Sequence, residues 1–352
     1  MKRHDAIIIG AGIIGLSLAR ELRKSGLSVL IAERREPGRE ASWAAGGMLV
    51  GSGLETPRPL QPLAAASAGM YPEFVHELED ESGLKIDLRS EGTLLLDPAA
   101  DPRMRDAHPL PASLQELEPN LVLTGDAPLF IRERSVDPRH LVAAAVAAAR
   151  HRGIDFSSGD QVLAVEVSDG VTNGVRTNKT RFAGGAVINC AGAWAGQIGP
   201  HAFPTRPVKG QMLCVAMPEK NLVRHVIRTP DVYLIPRTDG RLLIGATVEE
   251  AGDDKRTVPE TIQKLRQSAL KLVPKLAGAR ILEAWAGLRP GTPDGLPILG
   301  TTSTPGYFVA AGHFRDGILL APVTAKVLGA IVTGRVPQFE LAGFSPARFQ
   351  LR

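Results

Sequence analysis

Ala6-Ile7-Ile8-Ile9-Gly10-Ala11-Gly12-Ile13-Ile14-Gly15 decides the fold. The apolar run from Asp5 to Gly10 reads as a strand covered on both faces. Glycines 10, 12 and 15 follow at G-x-G-x-x-G spacing, and a helical pattern runs on from Ile14 to Lys24, with Gly26 as its stop. In that setting each glycine has its own task. Gly10 permits a tight turn, Gly12 lets backbone N–H groups approach a diphosphate, and Gly15 lets the helix pack on the strand. The helix N-terminus carries partial positive charge, which draws the anion to Ile13 and Ile14. A second buried strand, Leu27 to Ala32, leads to Glu33, spaced to bind ribose hydroxyls. Arg34 and Arg35 would suit a 2′-phosphate, but Glu33 would repel one. The competing reading is a tight turn without a ligand. The agreement of strand, glycines, helix and acid argues for a dinucleotide.

This fingerprint alone does not separate FAD from NAD. The segment Arg39 to Met48 tips the balance. Ser42 is placed to reach the diphosphate, and the small residues around it, Ala41, Gly46 and Gly47, with Met48, let backbone lie against a planar ring. A second glycine-rich turn, Ala311-Gly312-His313-Phe314-Arg315-Asp316-Gly317-Ile318, follows a strand predicted at Tyr307–Ala311. A helix is expected from Gly317 to about Val332. If its strand joins the first sheet, residues His313 to Leu319 close over the ring, and the helix N–H groups stabilise charge on the reduced flavin. An ordinary strand–helix turn fits the local pattern too. The turn at Asn189 to Trp194 is placed beside the cofactor or is a plain connection, and Val162 is placed at the adenine or in the core.

The rest of the chain bounds this reading. Its 352 residues are 44% hydrophobic, more than one core usually holds, so two domains are expected. With 41 basic and 37 acidic residues the net charge is +4, and no basic run is interleaved with aromatics, which argues against nucleic acid. That charge suits a small anionic substrate or an ordinary soluble surface. Only Cys190 and Cys214 occur, so a disulfide framework is not expected, a reducing cytoplasm is, and neither has a partner at metal-ligand spacing. The apolar stretch Ala6 to Leu18 is too short, and too rich in glycine, to cross a bilayer.

The texture changes along the chain. Helices are predicted at Leu63–Glu79, from Asp137-Pro138 to Gly153, and at Pro259–Val273. Strands are predicted at Gly92–Asp97, Gln161–Val167, Ala186–Cys190, Gln211–Ala216, Val223–Thr229, Val232–Pro236 and Leu242–Ala246. The expected class is α/β: a Rossmann-like FAD-binding domain (1–58, 137–205 and 281–352) with an inserted antiparallel-sheet substrate domain (59–136 and 206–280).

At this point the residues resemble a known family. The runs G-A-G-I-I-G, A-A-G-G-M, V-K-G-Q, W-A-G-L-R-P-G-T-P-D-G-L-P-I-L-G and A-A-G-H-F-R-D-G-I-L-L-A-P look like the FAD-dependent D-amino-acid oxidase family, over essentially the whole chain. The likeness is strongest to the branch that oxidises glycine to its imine for thiamin biosynthesis. It implies that Arg289, in W-A-G-L-R-P, binds the substrate carboxylate, that Tyr233 also contacts it, and that Arg315 lies in the loop touching cofactor and substrate. A surface salt bridge, a core tyrosine and a loop-stabilising arginine are the plainer roles for these three. The chain departs from that pattern at Asp231, where relatives carry histidine. No cysteine stands near Arg289 of the kind that links flavin covalently in sarcosine oxidases, so FAD is expected to be non-covalent. The implied reaction is hydride transfer from a small amino acid to FAD, with dioxygen as acceptor and a possible homo-oligomer as the assembly. Sarcosine, a larger D-amino acid or proline as substrate, a quinone as acceptor, a non-catalytic flavin-binding subunit, and a pyridine-nucleotide dehydrogenase stay open as alternatives.

Overall fold

In the computed structural model, which describes residues 3–51, 56–96, 107–108, 110–123 and 128–349, the opening strand spans Arg3–Ile9 in the middle of a sheet. Its side chains alternate between two cores. Ala6 and Ile8 face a layer that includes helices Ile13–Lys24, Gln61–Ser82, Pro138–His151 and Ala321–Val332. Ile7 and Ile9 pack on the opposite face with Leu30, Val187, Val309 and Phe203. Burying an isoleucine contributes about 1.5–3 kcal/mol, so both faces reward an unbroken apolar run.

Arg3–Ile9 lies between two parallel neighbours, Val29–Glu33 and Arg181–Asn189. Asp155–Ser158 extends the sheet beyond the first, and Tyr307–Ala311 beyond the second, both again parallel. Ile9, Glu33, Asn189 and Ala311 therefore end along one edge. The strands entering the two glycine-rich turns are separated only by Arg181–Asn189, two strand spacings of about 4.8 Å each. An antiparallel pair, Val162–Ser168 and Val171–Thr177, continues from the early residues of Arg181–Asn189.

The second sheet runs in the order Arg280–Gly291, Arg206–Ala216, Arg241–Gly245, Tyr233–Pro236, Val226–Arg228, Thr93–Leu95, Leu129–Ile131, Ala107–His108 among the described residues. Residues 281–291, grouped by sequence with the cofactor part, hydrogen-bond along Arg206–Ala216 and so belong to this sheet. Most elements fall within a few residues of expectation, and Asp97, the end of one predicted strand, lies outside the described residues. No helix among the described residues is long and apolar enough to cross a membrane.

One boundary differs for a clear reason. The last helix begins at Ala321, not Gly317. A helix through Ile318 would need the N–H of residue 322, which is proline and has none. The Ile318 carbonyl instead accepts from the Tyr71 hydroxyl, and the Leu319 carbonyl from Ser67 Oγ, both on the helix Gln61–Ser82. Pro322 sits in the first turn, where its missing donor costs nothing.

Candidate cofactor and substrate site

A cavity of about 700 Å3 opens along the shared strand edge and reaches the facing side of the second sheet. At one end stands the first glycine turn. A Cβ on Gly15 would lie 2.1 Å from the Gly10 carbonyl oxygen, so the helix can approach only with glycine there. Gly10 has φ +102°, and a Cβ on it would meet the Cys190 carbonyl oxygen at 2.7 Å. Gly15 is thus a packing residue and does not border the cavity, whereas Gly10, Gly12, Ile13 and Ile14 do.

Glu33 is 7% exposed and does two things. Its carboxylate borders the cavity and also accepts the N–H groups of Ala11 (2.8 Å) and Arg35 (2.9 Å), fastening the turn to the second strand. Ser42 Oγ accepts the Ile13 N–H at 3.0 Å, so the first amide of the helix already meets a hydroxyl at the cavity wall. Arg34 lays its guanidinium over the Trp194 ring, 3.6 Å from the centroid, while Arg34 and Lys255 both pair with Glu40. Trp194 is therefore a wall residue, and Asn189 holds its turn by accepting the Ala191 N–H and donating to the Ala195 carbonyl. Val162 borders the same end.

Ala41, Gly46, Gly47 and Met48 line the middle. The Gly46 carbonyl accepts from Nη2 of Arg237, a fully buried residue that the sequence reading missed. Burial lowers Arg237 to about 10, against the pull of neighbouring Asp137. Asp137 itself caps the helix Pro138–His151, accepting the Arg139 N–H and an Arg241 donor; burial works against its charge, but Arg237, His140 and Arg241 hold it below the usual carboxylate range.

The second turn closes the cavity from the other side with His313, Phe314, Arg315, Asp316, Gly317 and Ile318. Phe314 takes φ +46° and donates its N–H to the Pro290 carbonyl, which ties this turn to the strand carrying Arg289. The His313 ring is buried against Thr324 Oγ1 (3.2 Å), and burial pushes it down to about 3, so it stays neutral. Leu319, predicted at the cofactor, points into the core at 1% exposure and does not border the cavity. Because the helix starts at Ala321, its own N-terminus is set back from Gly317 by one turn of chain.

The second sheet supplies the other wall. Trp285, Met212, Gly245 and Tyr233 are register partners across successive strands and so share one face. Gly287 and Arg289 follow Trp285 on that face at the strand's two-residue period. The Arg289 guanidinium rests where a Cβ on Gly210 would be, 2.3 Å from Nη1. Its Nη1 donates to the carbonyls of Thr247 (3.0 Å) and Lys209 (3.3 Å), and its other N–H groups have no hydrogen bond among the described residues. Tyr233 packs its ring against Gly46 and Gly245, with its hydroxyl 3.9 Å from Met212 Sδ. Asp231 is exposed at the rim, its N–H held by Thr229 Oγ1. Met212, Gly210 and Gly245 were missed because they matter through register across the sheet, which local pattern does not reveal.

A long cavity with a G-x-G-x-x-G turn at one end of a parallel strand edge, and Arg289 and Tyr233 on a facing sheet at the other, has the layout of a flavin-type oxidoreductase. The chain belongs to the FAD dependent oxidoreductase family, whose profile matches residues 5–331. It is 32% identical to glycine oxidase from Pseudomonas aeruginosa, covering 97% of this chain and 98% of that protein. The crystal structure of glycine oxidase from Geobacillus kaustophilus superposes with a TM-score of 0.94 at 32% identity, covering 99% of both chains. The bifunctional protein ThiO/ThiG of Synechocystis sp. is 34% identical over 98% of this chain, which spans 54% of that longer protein. The protein is thus an FAD-dependent amine oxidase with the mixed α/β fold of its family.

Proposed function

We propose that this chain oxidises glycine, or a small amine close to it, supplying an imine for thiazole formation in thiamin biosynthesis, and that dioxygen is the acceptor. The glycine oxidase and ThiO/ThiG relatives support this reading. The observation that carries it is Arg289: one edge of its guanidinium is spent on two backbone carbonyls, which fixes the plane, while the rest borders the cavity. Bidentate pairing with a carboxylate then sets both position and orientation. Tyr233 gives a second contact to that carboxylate, and Arg315 borders the same space.

In this reading Glu33 takes the ribose hydroxyls of FAD. The Gly10–Gly15 turn and Ser42 take the diphosphate, Val162 borders the adenine, and Gly46 to Met48 with His313 to Ile318 enclose the ring. Bound FAD supplies the two-electron acceptor. The protein supplies position: Arg289 and Tyr233 would anchor the acid group, leaving the amine and α-carbon toward the part of the cavity lined by Gly46 to Met48 and His313 to Ile318. The overall balance is glycine plus dioxygen and water giving glyoxylate, ammonia and hydrogen peroxide. Neither thiol suits covalent attachment. Cys190 borders the cavity, but burial holds its thiol far above the usual range, and burial pushes Cys214 up to about 11. Two unpaired thiols also fit a reducing cytoplasm.

Replacing Arg289 with alanine tests the reading. Loss of the charged contact removes about 2–5 kcal/mol of transition-state binding, read as kcat/KM for glycine by peroxide release. An unchanged kcat/KM removes Arg289 from the site.

A further inference from the structure

We propose that Arg237 is a positioning residue for the flavin: by holding the Gly46 carbonyl it turns the Gly47 N–H toward the space assigned to the ring. This rests on the reading above that Gly46 to Met48 help enclose that ring. The peptide joining Gly46 and Gly47 is trans, so its carbonyl and its N–H point in opposite directions. The carbonyl oxygen accepts Nη2 of Arg237 at 2.6 Å, from a side chain that is fully buried and does not border the cavity. The Gly47 N–H therefore faces away from Arg237. Gly47 does border the cavity, and its N–H makes no hydrogen bond among the described residues.

The local chain does not hold the peptide this way by itself. A half-turn of the peptide changes only ψ of Gly46 and φ of Gly47, and glycine tolerates both. From φ +80°, Gly47 would pass to about −100°, an ordinary value. The restraint comes from the second sheet. Tyr233, Ile235 and Arg237 follow one another at two-residue spacing along and just beyond the strand Tyr233–Pro236, and Gly46 lies against them. A Cβ on Gly46 would stand 2.8 Å from Ile235 Cδ1 and 3.5 Å from Tyr233 Cε2. The following carbonyl, that of Gly47, is tied separately to the Val136 N–H at 2.8 Å.

Arg237 suits the task because little else claims it. Its Nε and Nη1 have no hydrogen bond among the described residues. Nε stands 3.9 Å from Asp137 Oδ2, which takes its closer donor from Arg241 at 2.7 Å. The bond to Gly46 is thus charge-assisted, and it polarises the peptide so that Gly47 N–H becomes a better donor. A hydrogen bond to a charged group favours one orientation by about ten- to a hundredfold. A donor aimed at the ring stabilises the negative charge gained on reduction, so losing its alignment disfavours the reduced form.

The test is the midpoint potential of bound FAD, from dye-equilibrated anaerobic titration of the holoprotein, in Arg237→Met and in Arg237→Met/Asp137→Asn. Each is expected to lower the reduced-to-oxidised ratio about tenfold, which is about 30 mV for two electrons. The double variant leaves neither half of the buried pair uncompensated, and asparagine keeps the cap on the helix Pro138–His151, so it decides alone if the single variant does not fold. A purely structural role would lower the urea midpoint and leave the potential in place, and that result overturns the proposal. So does a drop in the single variant that the double variant abolishes, because it would trace to the bare charge of Asp137. The measurement needs FAD but no amine, so it stands apart from the choice of substrate. Unaltered protein that holds no FAD overturns the reading beneath the proposal and the proposal with it.

Discussion

The two glycine-rich turns do similar work at one sheet edge, yet they are built differently. The turn at Gly10–Gly15 is closed by backbone: a Cβ on Gly15 would strike the Gly10 carbonyl oxygen, and the Ala11 N–H is tied to Glu33. The turn at Gly312–Gly317 is closed by distant parts of the chain. Pro290 accepts the Phe314 N–H, Tyr71 and Ser67 take the next free carbonyls, and a Cβ on Gly312 would meet a side-chain methyl, Thr292 Cγ2, at 2.4 Å. The first turn follows a local rule, and the second follows tertiary contacts.

Substitution separates the two directly. Gly15→Ala drives a methyl into a carbonyl that cannot move without breaking the turn, and is expected to cost more than about 3 kcal/mol and most bound FAD. Gly312→Ala meets a side chain that can yield but adds strain at φ +74°, so a loss of about 1–3 kcal/mol is expected. Adding Thr292→Ser, which deletes the opposing methyl, should recover part of the second loss and none of the first. Urea unfolding and flavin absorbance after gel filtration measure both. Equal costs at the two glycines would erase the distinction.

His313 in the second turn gives a pH signature that the first lacks. Its folded-state value near 3 lies below the ordinary 6.5, so the unfolded chain binds a proton that the folded chain refuses. Its contribution is complete above about pH 6.5 and is lost as pH falls toward 3, reaching about 2–3 kcal/mol by pH 4.5. The unfolding free energy of His313→Gln should fall less between pH 7 and 4.5 than that of the parent. A parallel decline would place the ring's charge elsewhere. The smallest effect belongs to Tyr71→Phe, which leaves the Ile318 carbonyl only the long bond from the Ala321 N–H, costs about 0.5–1.5 kcal/mol and should loosen Gly317–Leu320 in hydrogen exchange. Unchanged protection there would mean that Tyr71 does not shape the turn.

The same contrast explains what was legible in the sequence. The first strand, its helix, Glu33 and the cap at Asp137 follow from spacing and elementary turn chemistry, and they lie where expected. The start of the last helix was misplaced because Gly317 looks like a loop end, while the deciding residue, Pro322, acts five positions later and through Tyr71. Leu319 was assigned to the cofactor on the same assumption. Residues 281–291 were grouped with the wrong sheet because a strand carries no mark of its partner. Arg237 escaped notice because an arginine in sequence reads as surface. Only packing shows Arg237 behind Gly46.

The central claim is that both turns enclose one FAD with Arg289 presenting a carboxylate to it. An anaerobic absorbance titration of the purified holoprotein with glycine tests it most directly. Visible flavin bands that bleach with glycine, and bleach only at far higher glycine in Arg289→Ala, are the predicted result. A colourless protein, or bands that glycine leaves untouched, would contradict the account.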